Sequence, residues 1–153
     1  MATAMTKSLP QKALVLYADD DADDRLFVKE AFNEFSSIIE LETFEHGEEL
    51  LRYIKTLDPI QPQPCLIILD VNMPVLDGKQ TLRKLRELEE CKTVPTVLFT
   101  TSTLPSEIAF AKAYDAGFIT KPLHAQQIHL IVDQFIEHCT DEMKDELKKH
   151  RSK

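Results

Sequence analysis

The sequence predicts an α/β fold in which a parallel β-sheet carries helices on both faces. Two segments, residues 13–18 and 65–69, are continuous apolar runs without alternation of polar and apolar residues. Such runs are typical of strands that are buried on both faces, as in parallel sheets. Each run ends on a carboxylate, Asp19 after the first and Asp70 after the second. Helical and strand patterns alternate elsewhere, which favours parallel strands joined by crossover helices.

Three further strands and five helices complete this pattern. Residues 39–43 alternate apolar and acidic side chains, as a half-exposed edge strand does. Residues 94–99 are predicted to form the fourth strand, and residues 118–120 a very short fifth. The helices are marked by apolar residues at helical spacing: Phe27, Val28, Ala31, Phe32 and Phe35; Leu50, Leu51, Tyr53, Ile54 and Leu57; Leu82, Leu85 and Leu88; Ile108, Ala111 and Tyr114; Ile128, Ile131, Val132, Phe135 and Cys139.

The length of 153 residues fits one domain with a sizeable core. We expect that domain to span residues 13–139. Residues 1–12 are polar and are predicted to be a flexible leader. Residues 140–153 are nearly all polar and are predicted to be a solvated extension or a frayed tail.

The composition excludes several classes of protein. A net charge of −8 argues against direct nucleic-acid binding and against docking on anionic membranes. No apolar run approaches the roughly 20 residues that a membrane helix needs. Three widely spaced cysteines fit reduced thiols better than a disulfide framework. Since the first residues also lack the apolar core of a signal peptide, we expect a cytoplasmic protein.

Polar side chains follow four of the predicted strands where each strand ends. Asp19 and Asp20 follow the first strand, Asp70 the third, Thr100 the fourth and Lys121 the fifth. Because the carboxyl ends of parallel strands share one edge of the sheet, these groups are expected to converge.

Three neighbouring carboxylates repel one another and need a neutralising cation. Mg²⁺ suits a site of one or two carboxylates, waters and phosphate oxygens. With Mg²⁺ and a lysine present, the pocket would attract a phosphoryl group. Phosphoryl transfer depends mainly on positioning and charge neutralisation, so this is the chemistry that the pattern indicates.

The pattern resembles the receiver domain of two-component response regulators over about residues 13–139, and most closely the stand-alone type without an output domain. All of its motifs occur in the same order, each after an apolar run, which makes the signal specific. The resemblance implies a flavodoxin-like (βα)5 fold in three layers with strand order 2-1-3-4-5. The matching residues are Asp19-Asp20, Asp70 with Asn72-Met73-Pro74 and Asp77-Gly78, Thr100-Thr101, and Lys121-Pro122.

The resemblance implies a role for each acidic residue. Asp70 would attack the phosphorus of a phosphohistidine or of a small phosphodonor such as acetyl phosphate. Asp20 and Asp70 would bind Mg²⁺ directly, Asn72 would add its backbone carbonyl, and Asp19 would act mainly through water.

The remaining matched residues would bind the phosphoryl group and report its presence. Lys121 and the Thr100 hydroxyl would each contact a phosphoryl oxygen, and the Thr101 backbone N–H would complete the cradle. Thr100 and Phe118 would form the switch, with Thr100 drawn inward and the aromatic ring turning toward the core. The bond between Lys121 and Pro122 would be cis.

The implied partners are a sensor histidine kinase or a histidine phosphotransfer protein, together with an unknown downstream target. We expect a monomer or weak homodimer that catalyses its own phosphorylation and dephosphorylation without turning over a separate substrate. Its output would be docking on a target, relay of the phosphoryl group, or draining of a kinase.

Three different functions also fit parts of the pattern. Asp19, Asp21, Asp23 and Glu30 imitate the spacing of an EF-hand calcium loop, but Asp24 stands where that loop needs glycine. The second is an aspartyl-nucleophile phosphatase or phosphotransferase, since Asp70 also ends a strand as the nucleophile of such enzymes does. The third is a receiver-like interaction module that works without phosphorylation.

Several nearby residues are interpreted as structural. Asp21, Asp23 and Asp24 are interpreted as solvated charges at a helix start, and Tyr17 as packing. The segment between Gly117 and Lys121 is shorter than in the family, which leaves the alignment through the fourth helix open.

Overall fold

The computed structural model describes residues 12–57 and 63–151, which build a five-stranded sheet between two layers of helices. The strand order is β2-β1-β3-β4-β5 and every pairing is parallel. The predicted fold class and strand order are therefore confirmed. The strands are β1 (Ala13–Ala18), β2 (Ile39–Phe44), β3 (Leu66–Leu69), β4 (Thr96–Thr100) and β5 (Gly117–Thr120).

Helices occupy all five predicted positions, and a sixth follows them. The fifth is preceded by 3-10 turns over Ala125–Ile131, so only its second half is α-helical. The helices are α1 (Ala22–Ala31), α2 (Gly47–Thr56), α3 (Gly78–Glu87), α4 (Pro105–Ala113), α5 (Val132–Glu137) and α6 (Asp141–Arg151).

The sheet separates two apolar cores because successive side chains of a strand point to opposite faces. In β1, Val15 and Tyr17 belong to the core that also includes residues of α1, α5 and α6. Leu16 and Ala18 belong to the other core, with residues of α2, α3 and α4. Since both faces are covered, β1 and β3 are apolar throughout, which is the pattern that identified them.

The first helix begins with a side-chain cap. The Asp21 carboxylate accepts the backbone N–H groups of Asp23 and Asp24, at 2.9 and 3.2 Å. Asp21 and Asp23 thus form the start of α1, directly after a strand, and do not wrap a loop as calcium ligands would. This local structure argues against an EF-hand.

Close backbone contact fixes the end of β3. The Gly78 N–H donates to the Val71 carbonyl at 2.9 Å. A Cβ atom at Gly78 would lie 2.3 Å from the Asp70 carbonyl oxygen, so only glycine allows this approach. Asp77 and Gln80 form a capping box at the same point. The start of α3 therefore positions the backbone of Asp70.

The predicted leader lies outside the described residues apart from residue 12, and so do residues 58–62, which include Pro59 and Pro62, and residues 152–153 of the predicted tail. Within the described ranges, no helix has the length and apolar character needed to cross a membrane.

The segment after residue 140 is more ordered than the expected solvated or frayed tail. It forms α6, in which Leu147 is 2% exposed and joins the core together with Met143. These two apolar residues are four positions apart and therefore share one face of the helix. At the end of α6, Arg151 pairs with Glu34 through two hydrogen bonds of 2.7 and 3.0 Å, and also with Asp133. Because residues 140–153 are nearly all polar, the sequence pattern did not predict this single apolar face.

We expect Leu147→Ala to lower the free energy of unfolding by about 2–4 kcal/mol, because it removes a buried side chain and leaves a cavity. Urea unfolding followed by circular dichroism measures the change. Glu146→Ala, an exposed change on the same helix, is the matched control and should stay within about 0.5 kcal/mol of wild type. Equal effects of the two substitutions would mean that α6 does not pack as described.

Candidate functional site

The structure brings Asp19, Asp70 and Lys121 together at the carboxyl edge of the sheet. The Lys121 ammonium donates to Asp19 Oδ2 at 2.7 Å and lies 3.4 Å from Asp70 Oδ2. All three residues are buried, with Asp19 fully so. Three residues far apart in the sequence thus form one charged cluster where the strand ends predict it.

The acidic residues have the geometry of a cation site. Asp19, Asp20 and Asp70 each offer a carboxylate oxygen, and these oxygens lie within 4.8 Å of one another. Asp20 is exposed while the other two are buried. Carboxylate oxygens are the ligands that Mg²⁺ prefers, so the donor set fits this ion. Asn72, the fourth predicted ligand, is exposed in the loop after β3.

Asp19 is the most heavily bonded acid of the cluster. Its Oδ2 accepts hydrogen bonds from the Tyr17 hydroxyl at 2.5 Å and from Lys121. Its Oδ1 accepts the backbone N–H of Asp21 at 2.9 Å. Burial and the negative charge of Asp19 raise the pKa of Tyr17 far above its usual value, so its hydroxyl remains a donor.

Tyr17 therefore does more than the packing that the sequence suggested. A residue two positions before Asp19 on a strand points to the same face, and this spacing is the signal that could have placed its hydroxyl beside the carboxylate. The strand pattern alone does not separate a tyrosine that packs from one that also donates.

Asp24 is a second residue that the sequence interpretation placed wrongly. Its Oδ2 accepts a hydrogen bond from the Lys121 ammonium at 2.8 Å, and its side chain is only 13% exposed. Phe27, Val28 and Ala31 follow at three, four and seven positions, so Asp24 lies on the core-facing side of α1. That spacing could have distinguished Asp24 from Asp23, which is exposed.

The crowding of charges alters the ionisation of the buried groups. Burial first, and then the negative charge of Asp19, raise the pKa of Asp70 to about 7, although Lys121 acts in the opposite direction. Burial alone would lower the pKa of Lys121, but the carboxylates of Asp19 and Asp70 outweigh it and raise that pKa. The lysine is therefore held as a cation.

Thr100 and Thr101 follow β4 but differ in exposure. Thr100 is fully buried, and its hydroxyl oxygen accepts the Ser102 backbone N–H at 3.3 Å. Thr101 is exposed. The Thr100 carbonyl accepts the Lys121 backbone N–H at 2.8 Å, so the ends of β4 and β5 are joined directly.

Phe118 lies on β5 beside Leu98 of β4, half-buried against the core that α2, α3 and α4 cover. The predicted cis bond before Pro122 is wrong for this structure, because the described residues contain no cis peptide bond. Trans is the ordinary form of a bond before proline. Here the trans backbone already allows the Lys121 side chain to reach Asp19 and Asp70.

Comparison with known proteins gives a consistent result. A family model described as the response regulator receiver domain matches residues 15–133. Response regulator Rcp1 of Synechocystis is 32% identical over 63% of this chain, and the two-component response regulator ARR17 of Arabidopsis thaliana is 30% identical over 79%.

Coverage of the relatives differs. The aligned region spans 66% of Rcp1 and 83% of ARR17. A protein-glutamate methylesterase/protein-glutamine glutaminase of Bacillus subtilis is 32% identical over 80% of this chain, but the match spans only 34% of that enzyme. The activity in its name therefore concerns a much longer protein.

Solved structures show the same fold. The phosphorylated cyanobacterial phytochrome response regulator RcpA superposes with a TM-score of 0.76 at 24% identity, covering 86% of this chain and 96% of that one. The chemotaxis response regulator CheY4 of Vibrio cholerae superposes with a TM-score of 0.66 at 28% identity, covering 82% and 99%.

The raised pKa of Asp70 makes the stability of the metal-free protein depend on pH. The folded state binds this proton more tightly than the unfolded chain does, so stability falls as pH rises from about 4 to about 7. We expect Asp70→Asn to be more stable than wild type at pH 8, on the order of 2 kcal/mol. At pH 4 this advantage should be absent.

Urea unfolding in EDTA at both pH values measures the difference. Asp23→Asn removes an exposed carboxylate close by and is the control, with no comparable gain expected. A gain for Asp70→Asn that is the same at pH 4 and pH 8 would contradict the raised pKa.

Proposed function

Because the chain belongs to the response regulator receiver family, we propose that it receives a phosphoryl group on Asp70. Receivers are signalling modules of two-component systems. The observation that carries the assignment of Asp70 is the position of the Lys121 ammonium, 2.7 Å from Asp19 and 3.4 Å from Asp70 at one edge of the sheet. The carboxylate that would act as nucleophile thus lies beside the cation that would bind a phosphoryl oxygen.

Asp70 is suited to be the acceptor. It follows a strand that is buried on both faces, and α3 holds its backbone through the close approach of Gly78. Its carboxylate would form a bond to phosphorus as the bond between phosphorus and the donor's imidazole nitrogen breaks. Lys121 would offset the charge on one phosphoryl oxygen, and the Thr100 hydroxyl and the Thr101 N–H would bind the others.

The acidic cluster supports a requirement for Mg²⁺. Asp20 and Asp70 would hold the ion directly, with the Asn72 carbonyl, while Asp19 would act through water. When bound, Mg²⁺ supplies positive charge for the phosphoryl oxygens during transfer. A cation bound there would lower the pKa of Asp70, which burial and Asp19 raise, and would favour the carboxylate form that attacks phosphorus.

The signal would leave the site through Thr100 and Phe118. In the unphosphorylated state the Thr100 hydroxyl oxygen accepts the Ser102 N–H. A phosphoryl oxygen on Asp70 would draw the hydroxyl and the loop after β4 toward β3. Phe118 on the neighbouring strand is half-buried and could then turn inward.

The phosphodonor would be a sensor histidine kinase or a histidine phosphotransfer protein in the cytoplasm. Rcp1 and ARR17 are named as response regulators, which supports a signalling role in preference to turnover of a substrate. The phosphorylated chain would dock on a target, pass the phosphoryl group on, or drain a kinase.

The test is labelling by acetyl phosphate in the presence of Mg²⁺, followed by intact mass. Wild type is expected to gain one phosphoryl group, and both Asp70→Asn and EDTA to prevent it. Asp23→Asn is the control and should be labelled like wild type. Undiminished labelling of Asp70→Asn would show that another residue accepts the phosphoryl group.

The same preparation distinguishes a receiver from a phosphatase. A receiver is expected to show almost no turnover of generic phosphate esters, whereas sustained hydrolysis that Asp70→Asn abolishes would favour an aspartyl-nucleophile phosphatase.

A further inference from the structure

The Lys121 ammonium has three carboxylate neighbours, of which one lies on a helix. An ammonium group carries three donors. Two are used in short bonds to Asp19 and Asp24, at 2.7 and 2.8 Å, and the third neighbour, Asp70, is at 3.4 Å. The lysine therefore lies closer to Asp24 than to the residue that is to be phosphorylated.

The bond from Lys121 to Asp24 is easier to replace than the bond from Lys121 to Asp19. Asp19 is fully buried and is also fixed by Tyr17 and by the Asp21 N–H. Its bond to Lys121 would be costly to break, because a buried carboxylate would lose a charged partner. Asp24 keeps partial contact with solvent, so water can replace the lysine there.

We propose that Asp24 is a positioning residue that competes with the phosphoryl group for Lys121. The inference rests on the proposed phosphorylation of Asp70. When a phosphoryl oxygen arrives, the ammonium exchanges its bond to Asp24 for one to that oxygen and keeps its bond to Asp19. Asp24 thereby stabilises the unphosphorylated state relative to the phosphorylated one, and sets how readily the receiver enters and leaves the latter.

The side chain of Asp24 is not needed to begin α1. The cap is provided by the Asp21 carboxylate, which accepts the backbone N–H of Asp24 whatever side chain residue 24 carries. Asp23 lies in the same first turn and contributes a similar charge near the helix start, yet its side chain is exposed. Asp23→Asn is therefore a control that removes the same charge without freeing Lys121.

The experiment measures binding of beryllofluoride, a phosphoryl mimic, at saturating Mg²⁺ by titration calorimetry. Asp24→Asn is expected to bind about tenfold more tightly than wild type, since the lysine no longer leaves a charged partner. Asp24→Ser, a second neutral variant, should change in the same direction. Asp23→Asn should stay within about twofold, and Asp24→Glu, which restores the charge, within about threefold.

Three outcomes of the binding and labelling experiments overturn the inference. One is Asp24→Asn and Asp24→Ser binding no more tightly than Asp23→Asn. Another is an affinity of Asp24→Glu for beryllofluoride equal to that of Asp24→Asn, which would show that the negative charge of residue 24 does not weaken binding. If wild type is neither labelled by acetyl phosphate nor bound by beryllofluoride, the proposed function itself fails, and the competition fails with it.

The lifetime of the phosphorylated protein gives an independent reading. After labelling and removal of acetyl phosphate, Asp24→Asn is expected to lose its phosphoryl group several-fold more slowly than Asp23→Asn. A merely structural role of Asp24 would lower the unfolding midpoint and leave this ratio at one, which would overturn the inference.

Discussion

The site is organised by one buried cation among carboxylates. Lys121 is 8% exposed and would be costly to bury without partners, because removing an ammonium from water is unfavourable. Asp19 and Asp24 supply the short bonds that offset this cost, and the charge of Asp70 adds to them. Equally, the buried acids need the lysine. Lys121 and Asp19 thus each offset the cost of burying the other.

The parallel sheet makes that cluster possible. Asp19, Asp70 and Lys121 lie far apart along the chain, yet each directly follows a strand that runs in the same direction. The Thr100 carbonyl ties the Lys121 backbone to β4, and Gly78 lets α3 approach the Asp70 backbone. Main-chain contacts therefore fix the backbone positions of Asp70 and Lys121, so that their side chains lie close to each other.

The sequence predicted the strands and the residues that follow them. It did not predict the bonds that depend on the direction of individual side chains. Continuous apolar runs identified the sheet, and polar residues at their ends identified Asp19, Asp70 and Lys121. Local spacing indicates the face that Tyr17 shares with Asp19 and the core-facing side of α1 for Asp24. The ion pair of Asp24 with Lys121 also needs the relative placement of α1 and β5, which no local pattern contains. Helix α6 was missed because only Met143 and Leu147 carry its apolar face.

The hydrogen bonds of Asp19 also indicate which of the acidic residues would bind a cation directly. Both lone pairs of its Oδ2 are used by Tyr17 and Lys121, and its Oδ1 already accepts one N–H. Asp19 is also fully buried. Asp20, by contrast, is exposed and accepts none of these bonds. This difference supports direct ligation of a cation by Asp20 and Asp70, with Asp19 acting through water while it holds the lysine in place.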